Sequence, residues 1–467
     1  MRSSRVVASP GWVLTEPVRF GRTGNCRDGE TVLSHTIPDG SADQDQHRNP
    51  DLMRSRFILS AVALVAVSMP VSAVTPEVRA ILKSANAERL ARIGQHLMIG
   101  ADSIDGMKVL VENRAVMGIF ITDHNVKGKT SAQIRAKIDA LQDIRLKQGL
   151  PPLIVAADQE GGPVSRLSPP LPLTPSLATI LQPPPATEKV AAVVKASKTP
   201  VTPAVAAANT SDANSTPVDT EDDKRARVEA FAKAQGENLS ALGVNLNFSP
   251  VVDLRVPIKL RNDGETMLER RAISADPDVV TKAAGWYCAS LMSQRIGCTL
   301  KHFPGLGRIS VDTHRRMATL TAAKSVLLSQ DWLPYKGLMK NAGTITMQGH
   351  VRMTSVDDTT PASFSAPVID GLIRKEWAYD GVLITDDFSM GAVLRSPGGA
   401  GQAAVRALNA GVDIVLVSWS ERHLAGILKA LLATEAGGKF DAAKLAASKT
   451  RIAKVVTDLT GVPAAGQ

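Results

Sequence analysis

Aspartate, lysine and histidine side chains follow short apolar runs at several points of this 467-residue sequence. Asp386 comes directly after one such run, and Lys301 and His302 end another. One residue separates Asp312 from His314, so the carboxylate can fix the tautomer of the imidazole and raise its basicity. A rigidly held carboxylate can attack an electrophilic carbon, and a histidine that titrates near neutrality can give and then take a proton. Several predicted strand ends that carry Asp, Lys and His side chains therefore indicate an active site, for which these residue types could supply nucleophilic and acid/base chemistry.

The elements that must position these residues are short apolar runs, each followed by a segment with helical spacing. Repeated βα units of this kind predict an α/β fold, and eight of them predict a closed TIM (β/α)₈ barrel, in which chemistry lies at the carboxyl ends of the strands. No glycine-rich phosphate loop follows the first run, which argues against an open doubly wound sheet. The predicted strands cover residues 96–100, 116–122, 153–158, 244–249, 297–302, 344–350, 381–386 and 412–418.

Residues 74–467 are expected to form a single catalytic domain. A helix is predicted over 223–243 because its apolar residues share one face and Gly243 supplies a terminating signal. Before it, a stretch at about 183–222 is rich in Pro, Ala, Thr, Ser and Asn and lacks the periodicity of a packed element. We expect this stretch to be a flexible insertion on the catalytic face. Two further helices, over 423–433 and 442–459, are expected to close the ring.

A secretory signal peptide is expected at residues 53–73. It has a basic start, an apolar run of about a dozen residues and a small residue at its end. The run is shorter than the roughly 20 residues that span a bilayer, so we expect no stable membrane anchor. Because a signal peptide must lie at the N-terminus, we predict that translation starts at Met53 and that residues 1–52 are a mis-called, disordered extension. The mature protein is then expected to be periplasmic or secreted.

The charge and cysteine content exclude several classes of protein. The net charge of +9 arises from dispersed Lys and Arg residues, and the chain has 3 Tyr. The sequence therefore lacks a basic stripe with stacking aromatic residues, and we do not expect nucleic-acid binding. The cysteines Cys26, Cys288 and Cys298 form no CxxC pair and have no metal-ligand spacing. We therefore expect no disulfide framework, and interpret the cysteines as small buried residues.

Five motifs in order resemble one enzyme family. The segment 372–390, which contains Asp386, is similar to the nucleophile signature of glycoside hydrolase family 3. The segment 301–307, followed by Asp312-Thr-His314, resembles the acid/base loop of the β-N-acetylglucosaminidase branch of that family. The segments 158–162, 247–253 and 271–277 are similar to further family motifs, and the resemblance covers roughly residues 88–425.

The resemblance implies a retaining β-N-acetylhexosaminidase, with Asp386 as nucleophile, His314 as acid/base and Asp312 orienting His314. It would hydrolyse terminal non-reducing β-linked N-acetylglucosamine from cell-wall fragments, such as muropeptides, or from chito-oligosaccharides, through a covalent glycosyl-enzyme. We expect a monomer that uses no metal or other cofactor. By the same resemblance, the sugar hydroxyls or the acetamido group would be bound by Asp158, Arg166, Arg271, Lys301 and His302.

Two positions depart from the family pattern, and other functions stay open. Leu306 stands where the family commonly has a second histidine, and Pro163 stands where an arginine is frequent. Asp387 is expected to be structural, because adjacent residues of a strand point to opposite sides. Alternatives within the family are a β-glucosidase or β-xylosidase and a glycoside phosphorylase. Outside it, a metal-dependent amidohydrolase or an inactive wall-binding module would also place polar residues at strand ends.

Overall fold

The computed structural model describes residues 74–183, 219–257, 265–418 and 422–462. The predicted signal peptide, the extension before it and residues 184–218 of the predicted insertion lie outside these ranges. Among the described helices, none has the length and apolar character needed to cross a membrane.

Eight parallel strands form the barrel. Pairing runs from the seventh strand back to the first, which pairs with the eighth. Backbone hydrogen bonds from Thr385 N to Ile414 O and from Ile414 N to Leu383 O, at 3.0 and 3.1 Å, join the seventh strand to the chain entering the eighth. The (β/α)₈ prediction is therefore confirmed. The strands are Leu97–Ile99, Gly118–Ile121, Ile154–Ala157, Leu246–Asn247, Gly297–Phe303, Thr344–Gln348, Leu383–Thr385 and Val415–Val417.

Helices and two small sheets surround the barrel. An antiparallel pair, Gln159–Gly161 with Val164–Ser165, follows the third strand, and Ala318–Leu320, Val351–Met353 and Asp357–Pro361 form a three-stranded sheet. A 3₁₀ turn spans Ala362–Phe364 and a π-helical segment spans Pro367–Glu376. The α-helices are Pro76–Ser84, Ala87–Gly94, Ile104–Glu112, Asp123–Val126, Ser131–Lys147, Leu177–Ile180, Glu221–Leu242, Leu268–Arg271, Pro277–Met292, Lys324–Ser329, Leu333–Leu338, Gly391–Leu394, Gly399–Ala410, Leu424–Ala436 and Ala442–Thr460.

The helix predicted over 223–243 is present as Glu221–Leu242. The side chain of Thr220 accepts a hydrogen bond from Asp223 N, and the Asp223 carboxylate accepts one from Thr220 N, which together form a capping box. Gly243 ends the helix in the left-handed region, with φ of 84°. The helix thus begins two residues before its predicted start at Asp223. The predicted C-terminal helices are also confirmed.

Alternate strands supply one apolar layer inside the barrel. Phe120 comes from the second strand, Phe248 follows the fourth, Met347 lies on the sixth and Leu416 on the eighth. The rings of Phe120 and Phe248 stack with centroids 5.4 Å apart. Layers of four side chains from alternate strands are typical of this architecture. This layer seals the barrel interior beneath the carboxyl ends of the strands.

The C-terminal helix Ala442–Thr460 supplies further apolar side chains to the buried cluster inside the barrel. Four of its residues, spaced at helical intervals along one face, belong to the same cluster as the interior strand residues. They are Ile452, Val455, Val456 and Leu459.

The interpretation of the cysteines was wrong in part. Cys288 and Cys298 are buried, as expected, but they form a disulfide bond. Cys288 lies on the helix Pro277–Met292 and Cys298 on the strand that begins at Gly297. Because the chain reverses between the two elements, the cysteines come within 5.5 Å (Cα to Cα) despite a separation of 10 residues. A sequence without a recognisable cysteine motif gives no signal for such a pairing.

Removing the disulfide should lower stability, and replacing Cys298 also removes the contact between its sulfur and Thr344 Oγ1 at 3.6 Å. The double variant Cys288→Ala with Cys298→Ala is expected to lower the free energy of unfolding by about 2–3 kcal/mol, since a cross-link of this span restricts the unfolded chain. Urea titration without reductant measures the loss. A reductant should destabilise the native protein but leave the double variant unchanged. Equal stability of the two proteins would contradict a formed bond.

Candidate active site

One cavity lies at the carboxyl ends of the strands and has a volume of about 540 Å³. That volume lies within the range of small-molecule sites. The apolar layer of Phe120, Phe248, Met347 and Leu416 forms its floor. Seven of the eight residues predicted from the sequence line this cavity, and they are Asp158, Arg166, Arg271, Lys301, His302, His314 and Asp386. The eighth, Asp312, is buried and contacts His314.

Asp386 is held at the carboxyl end of the seventh strand. Its N–H donates to Gln348 O at 2.9 Å, which extends the pairing with the sixth strand by one residue. Its Oδ1 accepts from the N–H of Asp387 at 2.8 Å. Burial raises the pKa of Asp386, but the positive charge that His302, His350 and His314 can carry outweighs burial and sets the pKa below its ordinary value. Asp386 is therefore an ionised carboxylate in a fixed position, as a nucleophile requires.

Asp387 ties the end of the seventh strand to the end of the eighth. Its Oδ1 accepts from the N–H groups of Ser389 and Ser418, at 2.9 and 3.0 Å. Its Oδ2 accepts from the hydroxyls of the same two serines, at 2.6 Å for Ser418. The backbone carbonyl of Asp387 lies 2.9 Å from His350 Nε2. These contacts occupy both carboxylate oxygens and fix the backbone beside Asp386.

The pair Asp312 and His314 lies on the loop that follows the fifth strand. His314 Nδ1 donates to Asp312 Oδ1 at 2.8 Å, and the backbone N–H of His314 donates to the same oxygen at 2.9 Å. This leaves Nε2 as the ring nitrogen able to exchange a proton with a ligand in the cavity. Gly391 N donates to His314 O at 2.8 Å, so the loop beyond Asp386 also holds the loop that carries His314.

The charges around this pair favour a protonated imidazole. Burial lowers the pKa of His314, but the hydrogen bond to Asp312 and the negative charges of Asp386, Asp312 and Glu265 outweigh burial and raise it above its ordinary value. Burial raises the pKa of Asp312, while its hydrogen bonds to His314 and Thr266 lower it to about 2. The pair is thus an aspartate anion that holds an imidazole ready to donate a proton.

Two buried cations line another part of the cavity and share one carboxylate. Arg271 donates from Nε and Nη2 to the two oxygens of Glu160 at 2.9 and 2.7 Å. Lys301 Nζ lies 2.7 Å from Glu160 Oε1 and 2.6 Å from Asp158 Oδ1. Burial raises the pKa of Glu160, but the charges of Arg271 and Lys301 lower it to about 2. The group can present N–H donors and a carboxylate to the hydroxyls of a polar, neutral ligand.

His302 and Arg166 complete the predicted set. His302 Nδ1 lies 2.7 Å from Asp253 Oδ2, and the backbone N–H groups of His302 and Leu306 donate to Asp253 Oδ1 at 3.1 and 2.8 Å. Asp253 therefore fixes both the ring of His302 and the backbone of residues 302–306. Arg166 is half-buried, and Arg271 is buried. Neither is a fully solvated surface arginine.

Glu160, Asp253 and Thr266 contact the predicted site residues in ways that sequence reasoning did not anticipate. Glu160 lies two residues after Asp158, and Asp253 follows the fourth strand, so both stood inside motifs that had been recognised. Alternation along an extended chain, which places residues two apart on one side, was the available signal for Glu160. Thr266 lies in a loop for which no pattern predicted a contact.

Replacing Glu160 should destabilise the protein strongly. Glu160→Gln leaves Arg271 and Lys301 buried beside each other with Asp158 as their remaining acidic partner, and breaking a buried ion pair costs about 3–5 kcal/mol. Chemical denaturation measures the change in the free energy of unfolding. The matched control is Glu229→Gln, which removes an exposed ion pair with Arg225 and should cost less than about 1 kcal/mol. Equal losses in the two variants would show that Glu160 does not balance buried charge.

The described residues contain one group of side chains able to approach a metal ion together. Ligand atoms of Glu265, Asp312 and His314 lie within 4.8 Å of one another. Asp312 and His314 are already bonded to each other, so we interpret the group as a proton-transfer pair with an acidic neighbour. His96, the histidine nearest the first strand, is buried and hydrogen bonded to Asp413 O at 3.0 Å, and it is not among the cavity residues.

A closed barrel with carboxylates, cations and an Asp–His pair at its strand ends belongs to the class of (β/α)₈-barrel enzymes. The profile of the family described as "Glycosyl hydrolase family 3 N terminal domain" matches residues 190–455. The chain belongs to glycosyl hydrolase family 3.

Individual relatives agree with this assignment. A beta-hexosaminidase of Xanthomonas campestris is 34% identical over 196 residues, which are 42% of this chain and 56% of that protein. Beta-hexosaminidase LpqI of Mycobacterium tuberculosis is 28% identical over 359 residues, which cover 75% of this chain and 78% of that protein. The solved structure of a family 3 beta-N-acetylglucosaminidase from a Paenibacillus species superposes with a TM-score of 0.65 at 25% identity, over 81% of this chain and 64% of that chain. The matched part thus spans little more than half of the Xanthomonas relative.

Proposed function

We propose that the protein is a retaining β-N-acetylhexosaminidase that removes terminal β-linked N-acetylglucosamine from cell-wall fragments or chito-oligosaccharides. The observation that carries the proposal is one cavity lined by both an ionised Asp386 and a histidine held by Asp312. Family membership and relatives named as hexosaminidases support the substrate class.

In the first step, Asp386 attacks the anomeric carbon of the sugar. The bond from that carbon to the glycosidic oxygen breaks, and His314 Nε2 gives its proton to the departing oxygen. The hydrogen bond to Asp312 and the charge of Asp386 outweigh burial and raise the pKa of His314. The raised pKa keeps the proton available near neutral pH. The product of this step is a glycosyl ester on Asp386.

In the second step, His314 is neutral and accepts a proton from water as the water oxygen attacks the anomeric carbon. The ester bond breaks, Asp386 returns to its ionised form, and the sugar leaves with its original configuration. Asp158, Lys301, Arg271, His302 and Arg166 orient the sugar, and the apolar floor lies beneath it.

A panel of nitrophenyl glycosides tests the proposed activity. The β-N-acetylglucosaminide is expected to react well above the β-glucoside and β-xyloside, because the chain is similar to proteins named as hexosaminidases and its cavity places His314, held by Asp312, as the proton donor. The reaction is also run with and without inorganic phosphate, with identification of the product. A glycosyl phosphate as main product would show a phosphorylase, and a preference for the glucoside or xyloside would show a glucosidase or xylosidase. Either result would reject the proposed hydrolysis of N-acetylhexosaminides.

We propose further that the protein acts outside the cytoplasm, in the periplasm or after secretion. Two features support this proposal: the signal-like segment at 53–73, and the Cys288–Cys298 disulfide, a bond that persists in oxidising compartments. N-terminal sequencing of the mature protein is expected to begin close to Val74. A mature protein that retains residues 1–52 would overturn both the proposed export signal and the proposed start at Met53.

A further inference from the structure

A line of hydrogen bonds joins the sugar-binding cations to the acid/base pair through the loop at Thr266. Arg271 Nη1 donates to Thr266 O at 2.8 Å, and Thr266 Oγ1 donates to Asp312 Oδ1 at 2.9 Å. Asp312 Oδ1 is also the oxygen that accepts from His314 Nδ1. Thr266 is 1% exposed, so water does not compete for these bonds.

We propose, on the basis of the proposed glycosidase function, that Thr266 is a positioning residue for the acid/base. Its hydroxyl fixes the rotation of the Asp312 carboxylate, and that carboxylate fixes His314. Its carbonyl anchors the loop to Arg271, which Glu160 holds in turn. Thr266 acts through Asp312 and transfers no proton to the substrate.

The geometry explains why Asp312 needs this support. Asp312 Oδ2 is buried and has no hydrogen-bond partner among the described residues, so one oxygen, Oδ1, carries every observed contact of the carboxylate. Three donors converge on Oδ1: the Thr266 hydroxyl, His314 Nδ1 and His314 N. The two donors from His314, one from the backbone and one from the ring, lie on the same loop as Asp312, whereas Thr266 belongs to another loop. The Thr266 hydroxyl is therefore a side-chain donor that holds the Asp312 carboxylate in place independently of His314.

The test compares Thr266→Val, which removes the hydroxyl at nearly constant shape, with Thr266→Ser, which keeps it. Rates are measured with aryl β-N-acetylglucosaminides whose leaving groups range from dinitrophenol to phenol, and with a disaccharide. Thr266→Val is expected to lose about tenfold in kcat/KM on phenyl and sugar leaving groups, and less than about twofold on dinitrophenol, which leaves without protonation. Thr266→Ser is expected to restore the native dependence on the leaving group.

The control is Thr299→Val. Thr299 is also fully buried, and its hydroxyl has no partner among the described residues, so this variant removes a buried hydroxyl without disturbing the line of bonds. It is expected to keep the native leaving-group dependence. Thermal unfolding of all variants monitors folding.

Several outcomes would overturn the inference. They are an equal loss on every leaving group, no loss on any of them, or a serine variant that behaves like valine. These results concern Thr266 alone, because the native protein in the same experiment tests the proposed function: absence of turnover on every β-N-acetylglucosaminide would reject that function first.

Discussion

Asp386→Asn is expected to lower kcat/KM for every β-N-acetylglucosaminide by about 10⁴-fold or more. The amide cannot attack the anomeric carbon, and losses of this order or larger follow removal of a covalent nucleophile. Unlike a change of leaving-group assistance, this loss should be the same for dinitrophenyl and phenyl glycosides. Steady-state kinetics of the two substrates measures it, and thermal unfolding confirms that the barrel is folded.

Azide and a fluorinated sugar separate this role from that of any neighbouring carboxylate. In Asp386→Gly, azide can occupy the vacated space and attack directly, which gives the α-glycosyl azide from a β-glycoside. In the native protein, a fluorinated substrate that slows the second step should label the peptide that contains Thr385 to Asp387. Label on Asp387 would assign the nucleophile to that residue, and release of the sugar with inverted configuration would exclude a glycosyl-enzyme altogether.

His314→Ala is expected to reduce cleavage of disaccharides by 10²–10⁴-fold and to spare the first step on dinitrophenyl glycosides. A sugar oxygen is a poor leaving group and needs the proton, whereas dinitrophenolate does not. Because the hydrogen bond to Asp312 and the charge of Asp386 raise the pKa of His314 despite burial, the native kcat/KM should fall with rising pH as His314 loses its proton, at a pH above the ordinary pKa of histidine. The alanine variant should lack this alkaline limb.

Azide again provides the control, with the opposite stereochemistry. In His314→Ala, azide needs no general base and should attack the glycosyl-enzyme on Asp386, which gives the β-glycosyl azide and faster turnover of the activated substrate. Asp312→Ala should show the same trend in weaker form, and the double variant should be far from additive because both residues belong to one unit. An equal loss on all leaving groups, with no response to azide, would transfer the acid/base role to another residue.

Two kinds of feature were predictable from the sequence. The eight strands were found because strands of a parallel barrel are buried on both faces and appear as continuous apolar runs. Asp386, Asp312 and His314 were found because each lies in a short contiguous motif. In both cases the information is local in the chain.

Contacts across long separations were not predictable in the same way. Arg271 and Glu160 are 111 residues apart, and Thr266 and Asp312 are 46 apart, so each pair meets only because different strand ends converge on one face of the barrel. Arg271 was expected to bind the sugar, but the motif that contains Arg271 gives no sign that Glu160 balances its charge. The disulfide escaped notice for a related reason, since a reversal of the chain, rather than a spacing, brings Cys288 to Cys298.

The bonds between Asp387 and Ser418 have a consequence for biosynthesis. Ser418 directly follows the last barrel strand, yet its N–H and hydroxyl hold the residue beside Asp386. The ribosome therefore synthesises every proposed catalytic residue before Ser418, which holds the residue beside the proposed nucleophile. A nascent chain that stops short of the eighth strand contains the complete set of reactive side chains and still lacks a working arrangement of them. On the proposed function, hydrolytic activity is expected only after the eighth strand has been synthesised and the ring has closed.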